Sequence, residues 1–284
     1  MQRLNTRVLR NLLATFLTVP GVLSATAKTN VDLELVLAVD ISLSMQLDEQ
    51  QLQRDGYVAA FRDPRLIKAI QAGPQGRIAV TYFEWAGAGI QAGVVPWRIV
   101  DSPGTAKTFA DLLAKKPIRR ARMTSISGAL RHAAGLFRSS GFSGLRRVVD
   151  VSGDGPNNSG TTIETARDEL TKQGITINGL PIMAQSVSMW GGYFEIPNLD
   201  KYYRDCVIGG VGSFALAVKE KSKFATAIRQ KLLLEIAGLR PPVRVGRIIP
   251  IQLVPPGSDP IAKYDCLIGE KRWQQFLRDG FNEW

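Results

Sequence analysis

Histidine and cysteine are scarce in this chain of 284 residues, which has one histidine and two cysteines. A zinc centre needs several such ligands close together, and the sequence offers no cluster of them. It also has no Gly-x-Ser-x-Gly elbow and no Gly-rich loop with a phosphate-binding lysine. The single histidine, His132, falls within a helical pattern and is interpreted as a helix-face residue rather than a catalytic base. The chain is therefore predicted not to be an enzyme.

Acidic residues are in the minority: 25 Asp and Glu stand against 36 Lys and Arg, for a formal net charge of +11. A basic balance favours acidic partners, but by itself it does not distinguish nucleic acid, anionic lipid and acidic protein. Hydrophobic residues make up 45% of the chain and charged residues 21%, as in globular domains and unlike disordered segments.

Long apolar runs are missing except near the N-terminus. The first residues include arginines and no acid, a largely apolar run at 12–23 is interrupted at Pro20 and Gly21, and Ala25-Thr26-Ala27 has the small side chains of a cleavage site. We interpret residues 1–27 as a secretory signal peptide. The alternative is a membrane anchor, but the run is too short to span about 30 Å of hydrocarbon. The mature chain is predicted to have no transmembrane span, to be periplasmic or extracellular, and not to bind nucleic acid.

Strand and helix patterns alternate through the middle of the chain. Strands are predicted at 31–39, 77–85, 94–100, 147–152, 175–183 and 213–218, and helices at 49–61, 105–114, 125–137, 163–173 and 223–237. This order predicts a doubly wound α/β fold, with a mostly parallel six-stranded sheet, one antiparallel edge strand and helices on both faces. Ligands of such sheets lie beyond the carboxyl ends of the strands.

The last part of the chain, residues 239–284, is rich in proline, which forbids long regular elements. It is interpreted as an extension packed on the domain formed by residues 28–238, with one short helix near 271–278. Cys266 lies in this extension and Cys206 in the domain. An oxidising compartment permits these two cysteines to form a disulfide.

Three segments with oxygen-bearing side chains stand where predicted strands end or helices begin. They are Asp40-Ile41-Ser42-Leu43-Ser44, the hydroxyl-rich stretch from Thr124, and Gly153-Asp154-Gly155. Each has an ordinary explanation when taken alone. Asp40, Ser42 and Thr124 could cap helices, and Asp154 could belong to a turn.

Together and in this order, the three segments resemble the metal-ion-dependent adhesion site of von Willebrand factor A domains. The family's ligand positions correspond to Asp40, Ser42, Ser44, Thr124 and Asp154. Gly153 stands where the family often has threonine, and this difference leaves the ligands intact. The resemblance covers about residues 31–238 and implies the Rossmann-like A-domain fold. Phe83-Glu84-Trp85 and the stretch 202–206 also resemble an uncharacterised bacterial branch of exported A-type domains.

This resemblance implies a site for Mg²⁺, or for Mn²⁺ or Ca²⁺. The hydroxyls of Ser42, Ser44 and Thr124 would bind the ion directly, and Asp40 and Asp154 would act mostly through bound water. Neutral direct ligands leave the ion attractive to a carboxylate. The predicted function is therefore an exported metal-dependent binding or adhesion domain that captures an Asp or Glu of a protein partner.

Two alternatives to this function remain open. In one, the ion only ties the loops together in a structural component of an envelope assembly. In the other, the chain is a magnesium-dependent hydrolase with Asp40 as nucleophile, although position 42 then lacks the second acid that such an enzyme would want.

Residues near the metal segments are candidates for partner contact. Lys115 and Lys116 begin a basic stretch that continues with Arg119, Arg120 and Arg122, just before Thr124. Such a cluster would attract anionic partners, although a solvated charged loop explains it equally well. A glycine-flanked loop with Trp190 and Tyr193 could form a recognition surface, or could pack under the C-terminal extension.

Overall fold

The computed structural model describes residues 27–183, 195–239 and 263–281. Residues 1–26 of the predicted signal peptide lie outside this part of the chain, and so do Trp190 and Tyr193. Within the described ranges, no helix is both long enough and apolar enough to cross a membrane.

A single sheet forms the centre of the described structure. Its strands are β1 (Thr29–Asp40), β2 (Ile78–Trp85), β3 (Gln91–Val100), β4 (Phe142–Gly153) and β5 (Thr176–Pro181). They lie in the order β3-β2-β1-β4-β5, and all neighbours are parallel except β3, which pairs antiparallel with β2 at one edge. The mostly parallel sheet and its antiparallel edge strand confirm the predicted fold class.

The prediction of six strands is wrong for the described residues, where the sheet has five. The sixth segment, 213–218, does run beside β5, but it forms only two isolated bridges, Gly179 with Ala215 and Ile182 with Val218. Between these bridges lies Pro181, which has no backbone N–H to donate to segment 213–218. The hydrogen-bond ladder is therefore interrupted where a regular sixth strand would continue.

Helices cover both faces of the sheet. They are α1 (Leu47–Phe61), α2 (Pro64–Gln71), α3 (Pro103–Ala114), α4 (Ile126–Arg138), α5 (Ile163–Lys172), α6 (Leu199–Tyr202), α7 (Phe224–Ala237) and α8 (Ile268–Phe281). A π-helical turn, Tyr203–Val207, continues α6, and a 3₁₀ turn, Lys221–Lys223, precedes α7. The sequence analysis missed α2, although Asp63 caps it through the Arg65 N–H and Pro64 opens it.

Two apolar cores lie on opposite faces of the sheet, because alternate residues of β1 point to opposite sides. Leu35 and Leu37 pack into one core with α1, α2, α3 and α7. Val36 and Ala38 pack into the other with α4, α5 and α6. Burial on both faces explains why β1 is almost continuously apolar.

The C-terminal extension packs on the second core through the start of α8. Cys266 is buried and forms a disulfide with Cys206. The helix is longer than the predicted 271–278, since it begins at Ile268 and ends at Phe281. Residues 240–262 of the extension lie outside the described part of the chain.

A buried ionic cluster fastens α7 to the sheet. The Lys231 ammonium lies 2.5 Å from a carboxylate oxygen of Asp150 on β4, and it also pairs with Glu235 one turn along the helix. Glu235 in turn accepts a hydrogen bond of 3.0 Å from the Asn178 side chain on β5. Burial raises the pKa of Glu235 to about 7, and the charge of Asp150 raises it further while Lys231 opposes the shift.

Glu235→Gln is expected to make folding stability less dependent on pH. The unfolded chain releases the Glu235 proton near pH 4.5 and the folded chain near 7, so this group's contribution to stability falls as the pH rises between these values. Glutamine cannot ionise, so the decline from pH 5 to pH 8 should shrink by about 1–3 kcal/mol. Urea unfolding at pH 5 and at pH 8 measures the free energy of unfolding and so the size of this decline. Glu220→Gln, an exposed control, should decline like the wild type, and an equal decline in Glu235→Gln would contradict the assignment.

Candidate metal centre

The sheet register brings the first and third predicted metal segments together. Val39 of β1 pairs with Ser152 of the parallel strand β4, so the next residues along each strand, Asp40 and Gly153, leave the sheet side by side. Asp154 follows directly. The two segments are more than a hundred residues apart in the sequence but share one edge of the sheet, where ligands of such folds bind.

Hydrogen bonds join four of the five predicted ligands. The Ser42 backbone N–H donates to Asp40 Oδ1 at 2.7 Å, and the Ser42 and Ser44 hydroxyl oxygens lie 2.8 Å apart. The Ser44 hydroxyl donates to Asp154 Oδ1 at 2.7 Å. Asp40, Ser42 and Asp154 are buried and Ser44 is partly exposed, so the network reaches the surface at Ser44.

Thr124 is held beside this network through its backbone. The segment before it crosses the first metal segment, where the Ala121 N–H donates to the Ile41 carbonyl at 2.9 Å. The segment after Asp154 also holds it: the Thr124 N–H donates to Asn158 Oδ1 and the Asn158 N–H donates to the Thr124 carbonyl, each at 2.8 Å. Met123, just before Thr124, has a φ of 70°, a left-handed backbone conformation that residues other than glycine rarely adopt. Strain of this kind concentrates at functional sites.

The structure argues against helix capping as the role of Asp40, Ser42 and Thr124. Helix α1 begins at Leu47 with Gln46 as its N-cap, so neither Asp40 nor Ser42 caps it. Helix α4 is capped by Ser125, whose side chain accepts from the Gly128 N–H, and not by Thr124.

The two carboxylates of the site are destabilised in their charged forms. Burial raises the pKa of Asp40 well above its usual value, and the neighbouring charge of Asp154 raises it further. Burial also raises the pKa of Asp154 to about 7, against the hydrogen bond from Ser44, while the charges of Glu49 and Glu195 add to the rise. A bound cation would compensate these negative charges.

The residues present fit a hard divalent cation. Asp40 Oδ2 is buried and has no hydrogen-bond partner among the described residues, and the same holds for Tyr203 Oη. Both atoms lie near the place that a side chain on residue 153 would take, because a Cβ on Gly153 would stand 2.8 Å from Asp40 Oδ2 and 3.0 Å from Tyr203 Oη. The described residues contain no group of three His, Cys, Asp or Glu suited to a metal. Hydroxyl oxygens therefore have to supply part of any ligand set.

The sequence analysis missed several residues that support the site. Asn157 and Asn158 follow the Asp154 turn and bind the backbone of the Thr124 segment. Gln53 of α1 donates to the Ser152 hydroxyl at 2.6 Å, and Tyr203 fills the space beside Gly153. Among these residues, only the asparagines could have been recognised from the sequence, because two adjacent amide side chains follow directly after a predicted metal segment.

The candidate partner-binding arginines lie on the rim of the site. Arg119, Arg120 and Arg122 are all exposed. Arg120 donates to the Leu43 carbonyl at 2.6 Å, and the Arg122 carbonyl accepts from the Gly87 N–H at 3.1 Å. The basic stretch is thus attached to the Asp40–Ser44 segment itself.

Comparison with known proteins gives one family and a set of similar folds. Residues 30–240 match the family described as "Protein of unknown function (DUF1194)". No curated protein shows significant similarity to the chain.

Three solved structures illustrate the fold similarity. The minor pilin PilB from Streptococcus sanguinis is 12% identical with a TM-score of 0.54, over 75% of this chain and 62% of that one. The pilus adhesin SpaC from Lactobacillus rhamnosus GG is 11% identical with a TM-score of 0.51, over 74% and 32%. Proximal thread matrix protein 1 from the mussel byssus, described with a zinc-occupied MIDAS motif, is 16% identical with a TM-score of 0.50, over 74% and 49%. The chain thus spans about half of the mussel protein, and at these identities the likeness is one of fold.

Magnesium is expected to raise the melting temperature of the wild type but not that of Asp40→Asn. A ligand at about 100 times its Kd stabilises by about 2.7 kcal/mol, or roughly 5–10 °C for a domain of this size. Asparagine keeps the oxygen that accepts from the Ser42 N–H and removes a buried charge, so the metal-free variant should be at least as stable as the metal-free wild type.

Thermal unfolding with EDTA, Mg²⁺, Mn²⁺ or Ca²⁺ makes the comparison. Asp55→Asn, an exposed carboxylate on α1, is the matched control and should respond to metal like the wild type. A wild type whose melting temperature none of the three ions changes would contradict the metal assignment.

Proposed function

Because the chain belongs to the DUF1194 family and has the fold of von Willebrand factor A domains, its function has to be argued from its own site. We propose that it is a metal-dependent binding domain that captures a carboxylate of a protein partner. The observation that carries this proposal is the network of Ser42, Ser44 and Asp154 at the carboxyl ends of β1 and β4. It places the hydroxyl of the partly exposed Ser44 beside that of the buried Ser42 and next to the carboxylate of Asp154.

The protein's own residues divide the work at such a site. Ser42, Ser44 and Thr124 would hold Mg²⁺, Mn²⁺ or Ca²⁺, and the buried Asp40 and Asp154 would orient these hydroxyls and balance charge. When bound, the ion would supply a positive centre with a coordination position open to an incoming carboxylate. Ser44 is more exposed than Ser42, so a partner would approach the ion from the side of Ser44.

The same geometry favours binding over catalysis. Hydrolysis at a metal site usually needs a general base within reach of the attacking water. His132 lies on α4 with its ring 4.7 Å from that of Phe83, and burial lowers its pKa. It packs on the core rather than belonging to the metal network.

The basic rim favours an acidic partner. Lys115, Lys116, Arg119 and Arg122 are exposed, and none of them takes part in an ion pair among the described residues. Unpaired cations around a site raise the local concentration of anionic ligands and their rate of association. A carboxylate directed to the ion would be accompanied by further acids on this rim.

An exported location suits this role. The predicted signal peptide directs the chain to the periplasm or the outside of the cell, where a disulfide such as Cys206–Cys266 is maintained. Two of the structures with a similar fold are a pilus adhesin and a minor pilin, and a third is described with an occupied MIDAS motif. These names support binding as the class of function.

Removing two rim charges is expected to slow partner association without affecting the metal. In Arg119→Ser/Arg122→Ser the association rate for a peptide of consecutive glutamates should fall several-fold, and its dependence on salt should weaken. Arg120 is left in place because it binds the Leu43 carbonyl. Biolayer interferometry at two salt concentrations, with Mg²⁺ and with EDTA, measures the rates.

Lys68→Ser/Lys172→Ser is the matched control for charge. Both lysines are exposed, and they lie on α2 and α5, which lead into the opposite ends of the strands. If the control slows association as much as the rim variant, general charge rather than the rim is responsible. Capture that persists in EDTA would indicate a structural role for the ion, with partner binding elsewhere.

Purified protein is expected to show no metal-dependent turnover of phosphoester or peptide substrates, because His132 packs against Phe83, and Asp40 and Asp154 are proposed to orient metal ligands rather than to activate water. Product release would be followed with Mg²⁺ and with EDTA, for the wild type and for Asp40→Asn. Turnover that needs Mg²⁺ and disappears in the variant would replace the binding function with a hydrolase.

A further inference from the structure

Two adjacent asparagines connect the second and third metal segments. Asn158 binds the Thr124 backbone through both its side chain and its N–H, as described above. Asn157 Oδ1 accepts from the Ser127 N–H at 2.9 Å, one turn into the same segment. Both asparagines are buried, and Asn157 has no exposed surface. The position of Thr124 relative to Asp154 therefore depends on where Asn157 and Asn158 are held.

Asn157 is anchored from the C-terminal extension. Its side-chain NH₂ donates to Glu270 Oε1 at 2.7 Å and to the Thr161 carbonyl at 3.0 Å. Its backbone N–H donates to the Tyr202 hydroxyl at 3.1 Å. The first turn of α8 also touches its backbone, because a Cβ on Gly269 would stand 2.0 Å from the Asn157 carbonyl oxygen. Glycine at 269 is thus required for the approach of α8 to this loop.

The start of α8 is itself fixed to the domain. The disulfide joins Cys266 to Cys206, and the Tyr264 N–H donates to Asp205 Oδ2 at 3.0 Å. The Tyr264 ring meets the Tyr202 ring edge-on at 5.7 Å. These contacts place Glu270 firmly against Asn157. Each of these contacts has one partner, Cys266 or Tyr264, beyond position 240, where the family match ends.

We infer that Glu270 is a positioning residue of the metal centre, which acts through Asn157 to hold the loop after Asp154 against the Thr124 segment. The inference rests on the proposed metal site. Helix α8, which lies beyond the residues matched by the family, would then hold the second and third metal segments in position relative to each other. Residues that orient metal ligands in this way typically change metal affinity by about 10–100-fold when they are removed.

Glu270→Ala is expected to raise the Kd for Mg²⁺ at least about 10-fold in isothermal titration. Glu270→Gln keeps an oxygen that accepts from Asn157, so its Kd should stay close to the wild-type value. The glutamine variant separates positioning from charge, because a carboxylate in the first turn of a helix also favours the helix itself. If glutamine weakens Mg²⁺ binding as much as alanine does, charge is responsible and the positioning role is wrong.

Gly269→Ala tests the same contact without removing Glu270. Alanine favours the helix, yet its Cβ would collide with the Asn157 carbonyl, so α8 should persist while the Kd for Mg²⁺ rises. Lys271→Ala is the matched control on α8, since Lys271 pairs only with Asp265 of its own segment among the described residues. Its Kd should not change.

The melting temperature in EDTA, measured for every variant, separates a positioning role from a merely structural one. Glu270→Ala and Gly269→Ala that melt earlier in EDTA but bind Mg²⁺ like the wild type would overturn the inference and leave the metal site standing. A wild type that binds no Mg²⁺, Mn²⁺ or Ca²⁺ would overturn the proposed function and this inference with it.

Discussion

The placement of Asp40 and Asp154 together, beside the hydroxyls of Ser42 and Ser44, is the constraint on which the site depends. Several other buried acids in the described structure pair with a basic residue: Asp150 and Glu235 share Lys231, and Glu84 pairs with Arg54. Asp40 has hydrogen bonds from the Ser42 segment but no ion pair with a described lysine or arginine. A buried carboxylate without a cation is unfavourable unless it is protonated or a metal neutralises it. Asp40 thus lacks, among the described residues, the lysine or arginine partner that Asp150, Glu235 and Glu84 have.

Tight packing around Tyr203 explains the glycine at position 153. Tyr203 lies between two glycines, since a Cβ on Gly153 would stand 3.0 Å from its hydroxyl and a Cβ on Gly179 would stand 2.6 Å from its ring. Threonine, which the resemblance leads one to expect at position 153, would clash with both Tyr203 and Asp40. The departure from the family pattern and the buried tyrosine are therefore one structural feature. The tyrosine comes from the turn that also carries Cys206, which links the metal site to the extension.

Local patterns predicted most of the fold and the metal segments, because each depends on residues close in sequence. The apolar run of β1 showed burial on both faces, and parallel strands bring their carboxyl ends to one edge, so Asp40 and Asp154 could be placed together. The prediction of a sixth strand was wrong because Pro181 of β5 cannot donate a hydrogen bond to segment 213–218, and the sequence of that segment does not show this. The roles of Glu270 and Tyr203 could not be assigned from sequence, since they depend on contacts with residues far along the chain, Asn157 for Glu270 and Gly153 for Tyr203.

The Thr124 segment is held from two sides, and this separates two properties of the site. On one side, residues 119–122 attach to the Asp40–Ser44 segment and present cations to solvent. On the other side, Asn157 and Asn158 attach the segment to the Asp154 loop and, through Glu270, to α8.

The exposed cations act over long distances through solvent, so they govern how fast an anionic partner arrives and how salt changes that rate. The buried amides act only over contact distance and govern ligand geometry. In the proposed function, metal affinity and partner attraction are therefore assigned to different residues that meet at Thr124, and substitutions on the two sides of this segment should combine nearly additively.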